Sequence, residues 1–219
     1  MNKLTFSITA AAVSSLFAVG TSSADFQGIS IEALDSGMGI GTTYRIYVDV
    51  DGGEVDAVYG DTDNALHIEA TTSFYQNQFG GYGTPSAALF GFFPSLEYDS
   101  FVTIGLLDDA GDAMLDIGID FTGFEAGGAI STDNGTWFAT PDEPQVLAVD
   151  GRVLIAQLTT DGDINGVINL QGKNDDLSNW NALGVEFSTV PAPGAIALLG
   201  LAGVASRRRR KALRNKTKK

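Results

Sequence analysis

Apolar and polar side chains alternate along several short stretches of the chain, most clearly at residues 44–50. There Tyr44, Ile46, Val48 and Val50 are separated by more polar positions, and a period of two residues is typical of a strand with one buried face. Similar patterns or short apolar runs predict further strands at residues 55–59, 66–70, 101–107, 146–149, 153–160, 164–170 and 185–189.

Turn sequences rich in glycine and aspartate separate these predicted strands. Asp51-Gly52-Gly53 lies between the first two strands, and Asp161-Gly162 lies between the strands at 153–160 and 164–170. Such turns are typical of β-hairpins. No stretch shows convincing helical periodicity. We therefore predict an all-β antiparallel sandwich or jelly-roll-like domain over residues 25–189, with a signal helix before it and an apolar helix after it.

The first 24 residues have the pattern of a secretory signal peptide. Lys3 is followed by an uncharged, largely apolar run to Val19, and the small residues Ser22, Ser23 and Ala24 precede Asp25, the first acidic residue. A basic start, an apolar middle and a small-residue end are the three parts of such a signal. We predict cleavage between Ala24 and Asp25, and hence export of the protein.

A second segment with an unusual pattern follows residue 189. It consists of a short motif, an apolar run at 195–205 and a basic cluster. The uncharged part, residues 190–206, is shorter than the roughly 20 residues that span a bilayer comfortably, and the basic cluster stays on the cytoplasmic side. We predict a transient inner-membrane anchor over residues 190–219. The motif is Val190, Pro191, Ala192, Pro193 and Gly194, and the basic stop is Arg207, Arg208, Arg209 and Arg210.

This order of motif, apolar span and arginines resembles a PEP-CTERM sorting signal, over about the last 30 residues. The resemblance implies that an exosortase, an integral-membrane processing enzyme, removes the tail during export. It also implies a Gram-negative bacterium that makes extracellular polysaccharide, and a final location at the cell surface or outside the cell. Ala192 stands where the family usually has glutamate. The family's exported domains are diverse, so the resemblance carries no implication about catalysis.

Charge is distributed very unevenly along the chain. All 27 acidic residues lie between Asp25 and Glu186, and only three basic residues, Arg45, Arg152 and Lys173, lie in the same region. Such a surface repels nucleic acid and anionic lipid. Cation binding and adaptation to salty water both explain this acidity, and the sequence leaves both open. The chain has no cysteine, which excludes thiol nucleophiles, iron–sulfur clusters and cysteine zinc sites.

The residues that catalysis requires are scarce or explained by turns. His67, the single histidine, lies within the predicted strand at 66–70, where we expect it to be an exposed strand residue. Two carboxylates suffice for glycoside hydrolysis, but most aspartates lie beside glycine, where turns favour them. We therefore expect no enzyme activity. The aspartates that could supply such a pair are Asp99, Asp108, Asp109, Asp112 and Asp116.

Calcium is the better chemical hypothesis, although no cofactor is required. Asp161, Asp163, Asn165 and Asn169 occupy positions 1, 3, 5 and 9 of a loop spaced like an EF-hand, and oxygen ligands suit calcium. An EF-hand has an acidic residue at position 12, where this chain has Gly172. A β-hairpin that turns at Asp161-Gly162 explains the same aspartates and asparagines. Weaker acidic groups are Asp49, Asp51, Glu54 and Asp56, and also Asp61 and Asp63.

A long glycine-rich loop is predicted at residues 80–85, preceded by Phe79. Its aromatic neighbours either pack in the core or form a surface on which sugars stack; they are Phe74, Tyr75, Tyr82, Phe90, Phe92 and Phe93. The sequence predicts a non-enzymatic envelope or extracellular-matrix protein. The alternatives are a calcium-dependent carbohydrate-binding or adhesive module, with extracellular polysaccharide as partner, and a small secreted glycoside hydrolase using paired aspartates.

Overall fold

The computed structural model describes residues 26–190. The predicted signal peptide with its cleavage site, and the predicted sorting tail from Pro191 onward, lie outside these residues. Within the described part the helical segments are short: turns of 3₁₀-helix at Ala87–Leu89, Pro94–Tyr98 and Pro144–Val146, and the single-turn helix α1 at Thr122–Glu125. The strands are β1 (Phe26–Asp35), β2 (Thr42–Val50), β3 (Glu54–Gly60), β4 (Leu66–Ala70), β5 (Phe101–Val102), β6 (Leu115–Ile117), β7 (Ile130–Thr132), β8 (Gly135–Phe138), β9 (Arg152–Thr160), β10 (Ile164–Lys173) and β11 (Asn179–Ser188).

The strands form two antiparallel sheets. One has four strands in the order β1-β2-β9-β5, and the other has seven strands centred on β10. A single hydrophobic cluster contains side chains of both sheets, among them Ile46, Val58, Trp137 and Ile168, so the sheets pack face to face. The predicted all-β sandwich is confirmed. Among the described residues, no helix is long and apolar enough to cross a membrane.

The larger sheet branches at β10. One edge of β10 pairs with β11, whereas its other edge pairs with β4 at residues 164–167 and with β3 at residues 169–173. Asn169 lies at the branch point and is almost fully buried. Its amide donates to the carbonyls of Tyr59 (3.0 Å) and Asn64 (2.7 Å), and its Oδ1 accepts from the N–H of Gly184 (2.9 Å). One side chain thus holds three segments together.

Two predicted hairpins are wrong. β2 pairs with β1 and β9, and β3 pairs with β8 and β10, so Asp51-Gly52-Gly53 carries the chain from one sheet to the other. The turn at Asp161-Gly162 likewise joins β9 of the smaller sheet to β10 of the larger one. In a sandwich a tight turn reverses the chain whether the next strand pairs or crosses to the facing sheet, because both need the same backbone bend.

Two predicted strands also differ from the structure. Residues 146–149 do not form a strand, because Pro144 begins a 3₁₀ turn that ends at Val146, and proline lacks the N–H that a strand ladder needs. The strand predicted at 101–107 ends at Val102. Gly105 has φ +80°, and a Cβ there would overlap the carbonyl of Gln145, so the backbone turns away. The strands predicted at 44–50, 55–59, 66–70, 153–160 and 164–170 are confirmed, as is 185–189 up to Ser188.

Candidate functional site at the glycine-rich loop

The glycine-rich loop, residues 80–85, is preceded by a turn at Asn77 that hydrogen bonds hold in place. The side-chain Oδ1 of Asn77 accepts a hydrogen bond from the N–H of Phe79 (3.1 Å). The backbone carbonyl of Asn77 accepts one from the N–H of Gly80 (3.0 Å). Asparagine favours such local turns because its side chain mimics a backbone carbonyl. The N–H of Asn77 donates to Oδ1 of Asp99 at 2.7 Å. The loop is thereby tied to the segment that follows the Pro94–Tyr98 turn.

Asp99 is a fully buried carboxylic acid beneath this loop. Burial raises its pKa to about 7, although donors from the backbone of Asn77 and Ser100 oppose the shift. Its Oδ2 has no hydrogen-bond partner within the described part of the chain. A Cβ on Gly80 would overlap this oxygen, so only glycine fits at position 80.

Tyr82 fixes the middle of the loop. Its ring lies parallel to that of Phe121, with centroids 4.3 Å apart, and its hydroxyl donates to Asp116 at 2.7 Å. This hydrogen bond, together with burial and nearby carboxylates, raises the pKa of Tyr82. The Tyr82 N–H donates to Glu125 Oε1 (3.3 Å), and its carbonyl accepts from the N–H of Val102 (2.8 Å). Every polar group of Tyr82 is therefore used to hold its position.

The loop forms one wall of an open groove of about 380 Å³. That volume lies near the lower end of the range of roughly 300–1,000 Å³ found for small-molecule sites. The Thr84 hydroxyl donates to Asp112, and the N–H of Asp109 donates to the carbonyl of Pro85, which ties the end of the loop to residues 109–112. The lining residues are Phe79, Gly80, Gly81, Tyr82, Gly83, Thr84, Pro85, Ser86, Asp109 and Glu125.

The aromatic residues predicted around the loop separate into different environments. Phe74 is buried and meets Phe124 edge to face at 5.5 Å, whereas Phe92 is 78% exposed. Phe93 packs against Phe79 with ring centroids 3.9 Å apart. Phe90 is half-buried, and the Tyr75 hydroxyl accepts from the Asn77 side chain at 3.2 Å. Of the six, Tyr82 lines the groove, and the core-packing interpretation holds for Phe74.

The candidate carboxylates are also dispersed. Asp99 is buried beneath the loop, and Asp112 and Asp116 accept hydrogen bonds from Thr84 and Tyr82. Asp108 caps its own turn by accepting from the N–H of Ala110. Of the five, only Asp109 lines the groove. Its carboxylate neighbour in the lining, Glu125, was not among the predicted residues, because it lies at the end of α1, distant in sequence.

The four residues of the predicted calcium loop do not meet. Asp161 and Asp163 are exposed in the turn before β10, and Asn165 accepts from the Ser188 hydroxyl at 2.9 Å. Asn169 lies four residues further along the strand, roughly 13 Å away, and its side chain is fully used at the branch point. Within residues 26–190 no three histidine or acidic side chains form a group that could hold a metal ion. Asn169 is therefore separated from the other three residues of the predicted calcium loop.

The other acidic groups and the histidine are accounted for locally. His67 is exposed on β4 as expected, with Nε2 3.4 Å from Glu69. Glu54 and Asp56 are buried together beside Lys173, whose Nζ lies 3.7 Å from Glu54. Burial and the neighbouring Glu54 carboxylate raise the pKa of Asp56 to about 6. Asp61 accepts from the N–H groups of Asp63 and Asn64, whereas Asp51 is exposed.

Comparison with protein-family models, with curated proteins and with solved structures gave no match to this chain.

Proposed function

We propose that this chain is an exported, non-enzymatic component of the cell envelope or extracellular matrix, and that its C-terminal tail is removed by an exosortase-like enzyme. The observation that carries the proposal is that the last strand of the sandwich ends before the predicted sorting motif. β11 ends at Ser188, and the motif starts at Val190.

The last strand is complete before that motif. Thr189 donates its N–H to the carbonyl of Ile164 (3.0 Å), and its hydroxyl accepts from the N–H of Ile164 (2.8 Å). These bonds fasten the end of β11 to the start of β10. Removal of the tail at residues 191–193 would therefore leave every described strand and both bonds intact, as a cleavable sorting signal requires.

The charge of the domain supports an extracellular role without nucleic-acid or lipid contact. With 27 acidic and three basic side chains between residues 25 and 189, anionic polymers and anionic membrane surfaces are repelled. Two of the cations are already paired: Arg152 lies 3.6 Å from Glu32, with its guanidinium 4.0 Å from the centre of the Tyr47 ring, and Lys173 lies beside Glu54. The transient membrane contact in this proposal belongs to the tail alone.

Intact mass and terminal peptide mapping of the native protein, taken from membrane and medium fractions, test the proposal. We expect a mature extracellular species that begins at Asp25 and ends near residues 191–193. As a matched control, replacement of Arg207, Arg208, Arg209 and Arg210 by glutamine should leave the signal peptide cleaved but the tail unprocessed. Wild-type protein that retains residues 207–219 in the inner membrane would show that the tail is a permanent anchor and would refute the proposal.

A further inference from the structure

The groove at the glycine-rich loop combines the exposed ring of Phe79 and the half-buried ring of Tyr82 with carboxylates, and it is preformed. We propose that it binds a neutral saccharide. The inference rests on the proposed function because only an exported domain meets extracellular polysaccharide. It adds a ligand class and a binding site to that function.

The rings of the groove are supported from behind. Phe79 is 44% exposed while its ring packs against Phe93, and Tyr82 is backed by Phe121. An aromatic face carries partial negative charge, and the C–H bonds on the face of a sugar ring carry partial positive charge. A sugar ring can therefore stack on a ring that is already immobilised, without the entropic cost of ordering it.

The polar lining matches the hydroxyl groups of a sugar. The Asp109 and Glu125 carboxylates are acceptors, and hydrogen bonds to a charged acceptor are about twice as strong as neutral ones. The Thr84 hydroxyl already donates to Asp112 and can accept from a ligand, and the Ser86 hydroxyl can both donate and accept. Because the loop is already fastened through Asn77 and Tyr82, little of the binding energy is spent on ordering it.

Other ligand classes fit the groove less well. No lysine, arginine or histidine is among its described lining residues, and two carboxylates repel phosphates, uronic acids and nucleic acids. A metal ion is disfavoured because the described chain has no group of three acidic or histidine side chains that could hold one. A hydroxyl-rich neutral ligand uses both the rings and the carboxylates.

The first test compares neutral and anionic sugars. Full-length protein in a polyoxyethylene detergent, which carries no sugar, is titrated calorimetrically with cellohexaose, maltohexaose, mannohexaose and an alginate hexamer. We expect at least one neutral hexasaccharide to bind, with the same affinity in EDTA, and alginate to bind more weakly. Binding of none of the neutral sugars, tighter binding of alginate, or loss of binding in EDTA would overturn the inference.

Matched variants locate the site. Phe79→Ala should weaken binding of the neutral sugar about tenfold, which corresponds to about 1.4 kcal/mol. Phe92→Ala removes a more exposed ring that does not line the groove, and it should leave the affinity unchanged. Equal effects of the two variants would place the sugar elsewhere and overturn the inference.

The carboxylates are tested with isosteric changes. Glu125→Gln keeps a carbonyl that can accept from the Tyr82 N–H. Both Glu125→Gln and Asp109→Asn should weaken binding of the neutral sugar several-fold. The control is Asp63→Asn, a change at a remote exposed residue, which should leave the affinity unchanged. Unchanged affinity in both groove variants would refute the role given to the carboxylates. Because binding is measured separately from processing, a failure of sugar binding with normal tail removal contradicts only this inference. Sugar binding with a retained tail contradicts only the proposed function.

Discussion

Gly80→Ala should destabilise the fold through one identifiable contact. The new Cβ would overlap Oδ2 of Asp99, which is buried and cannot move into solvent. Overpacking of a core costs about 1–3 kcal/mol, and displacement of the carboxylate would also weaken its bond from the part-buried N–H of Asn77, at up to about 1–3 kcal/mol. We expect a loss of about 2–6 kcal/mol in the free energy of unfolding. For a domain of this size that loss lowers the Tm by roughly 4–24 °C.

Gly81→Ala is the control for this prediction. A Cβ at position 81 would lie 3.5 Å from Glu125 Oε1, an ordinary contact, so the same substitution one residue later should change stability by no more than about 1 kcal/mol. Urea unfolding followed by fluorescence measures both variants, and a double-mutant cycle isolates the cause. In an Asp99→Ala background the oxygen is absent, and Gly80→Ala should then cost less than about 1 kcal/mol. Equal losses for Gly80→Ala and Gly81→Ala, or additive losses in the cycle, would refute the steric explanation.

Three further predictions concern pH, the branch point and catalysis. Burial raises the pKa of Asp99 to about 7 in the folded protein, so its contribution to stability is complete below about pH 4 and is lost as the pH rises towards 7. Urea unfolding across this pH range should show that the free energy of unfolding declines less in Asp99→Asn than in the wild type. Parallel declines in the two proteins would contradict the assignment to Asp99. Asn169→Asp places a charge where the amide now donates to two carbonyls and should cost at least about 3 kcal/mol in urea unfolding, whereas Asn165→Asp on the same strand should be nearly neutral; equal losses in the two variants would contradict the role given to the Asn169 amide. Reducing-sugar assays on the neutral hexasaccharides should detect no hydrolysis, and activity that disappears in Asp109→Asn or Glu125→Gln would favour the hydrolase alternative.

The sequence predicted strands where side-chain alternation is long enough to be distinguished from chance. β2, β3, β4, β9 and β10 were predicted because each has at least five residues of alternating or continuous apolar character. β1 was missed although Ile29, Ile31 and Ala33 alternate with Ser30 and Glu32; the register shift between Phe26 and Gly28 affects only its first residues. β6, β7 and β8 have only three or four residues, and so short a run carries little periodic signal.

Pairing could not be predicted from local sequence in the same way. The Asp-Gly turns correctly mark where the chain reverses, but the choice between a hairpin and a crossing to the other sheet depends on strands far away, such as β9 beside β2. The groove has the same limitation. Tyr82 and Asp109 were considered from the sequence, whereas Phe121 and Glu125 approach the loop only through the tertiary fold.

Part of the acidity of the chain follows from how its turns are built, and this affects where a binding site should be sought. Aspartates accept from the N–H two residues ahead in six turns, and the bonds that Asp120 and Asp176 accept from Thr122 and Ser178 lower the pKa of each carboxyl. Carboxylates already bound to donors of their own turn have less capacity to coordinate a ligand, so a high count of acidic residues is poor evidence for a metal site. The groove differs from these turns because it places Asp109 and Glu125 beside two supported rings. The six capping residues are Asp35, Asp61, Asp108, Asp112, Asp120 and Asp176.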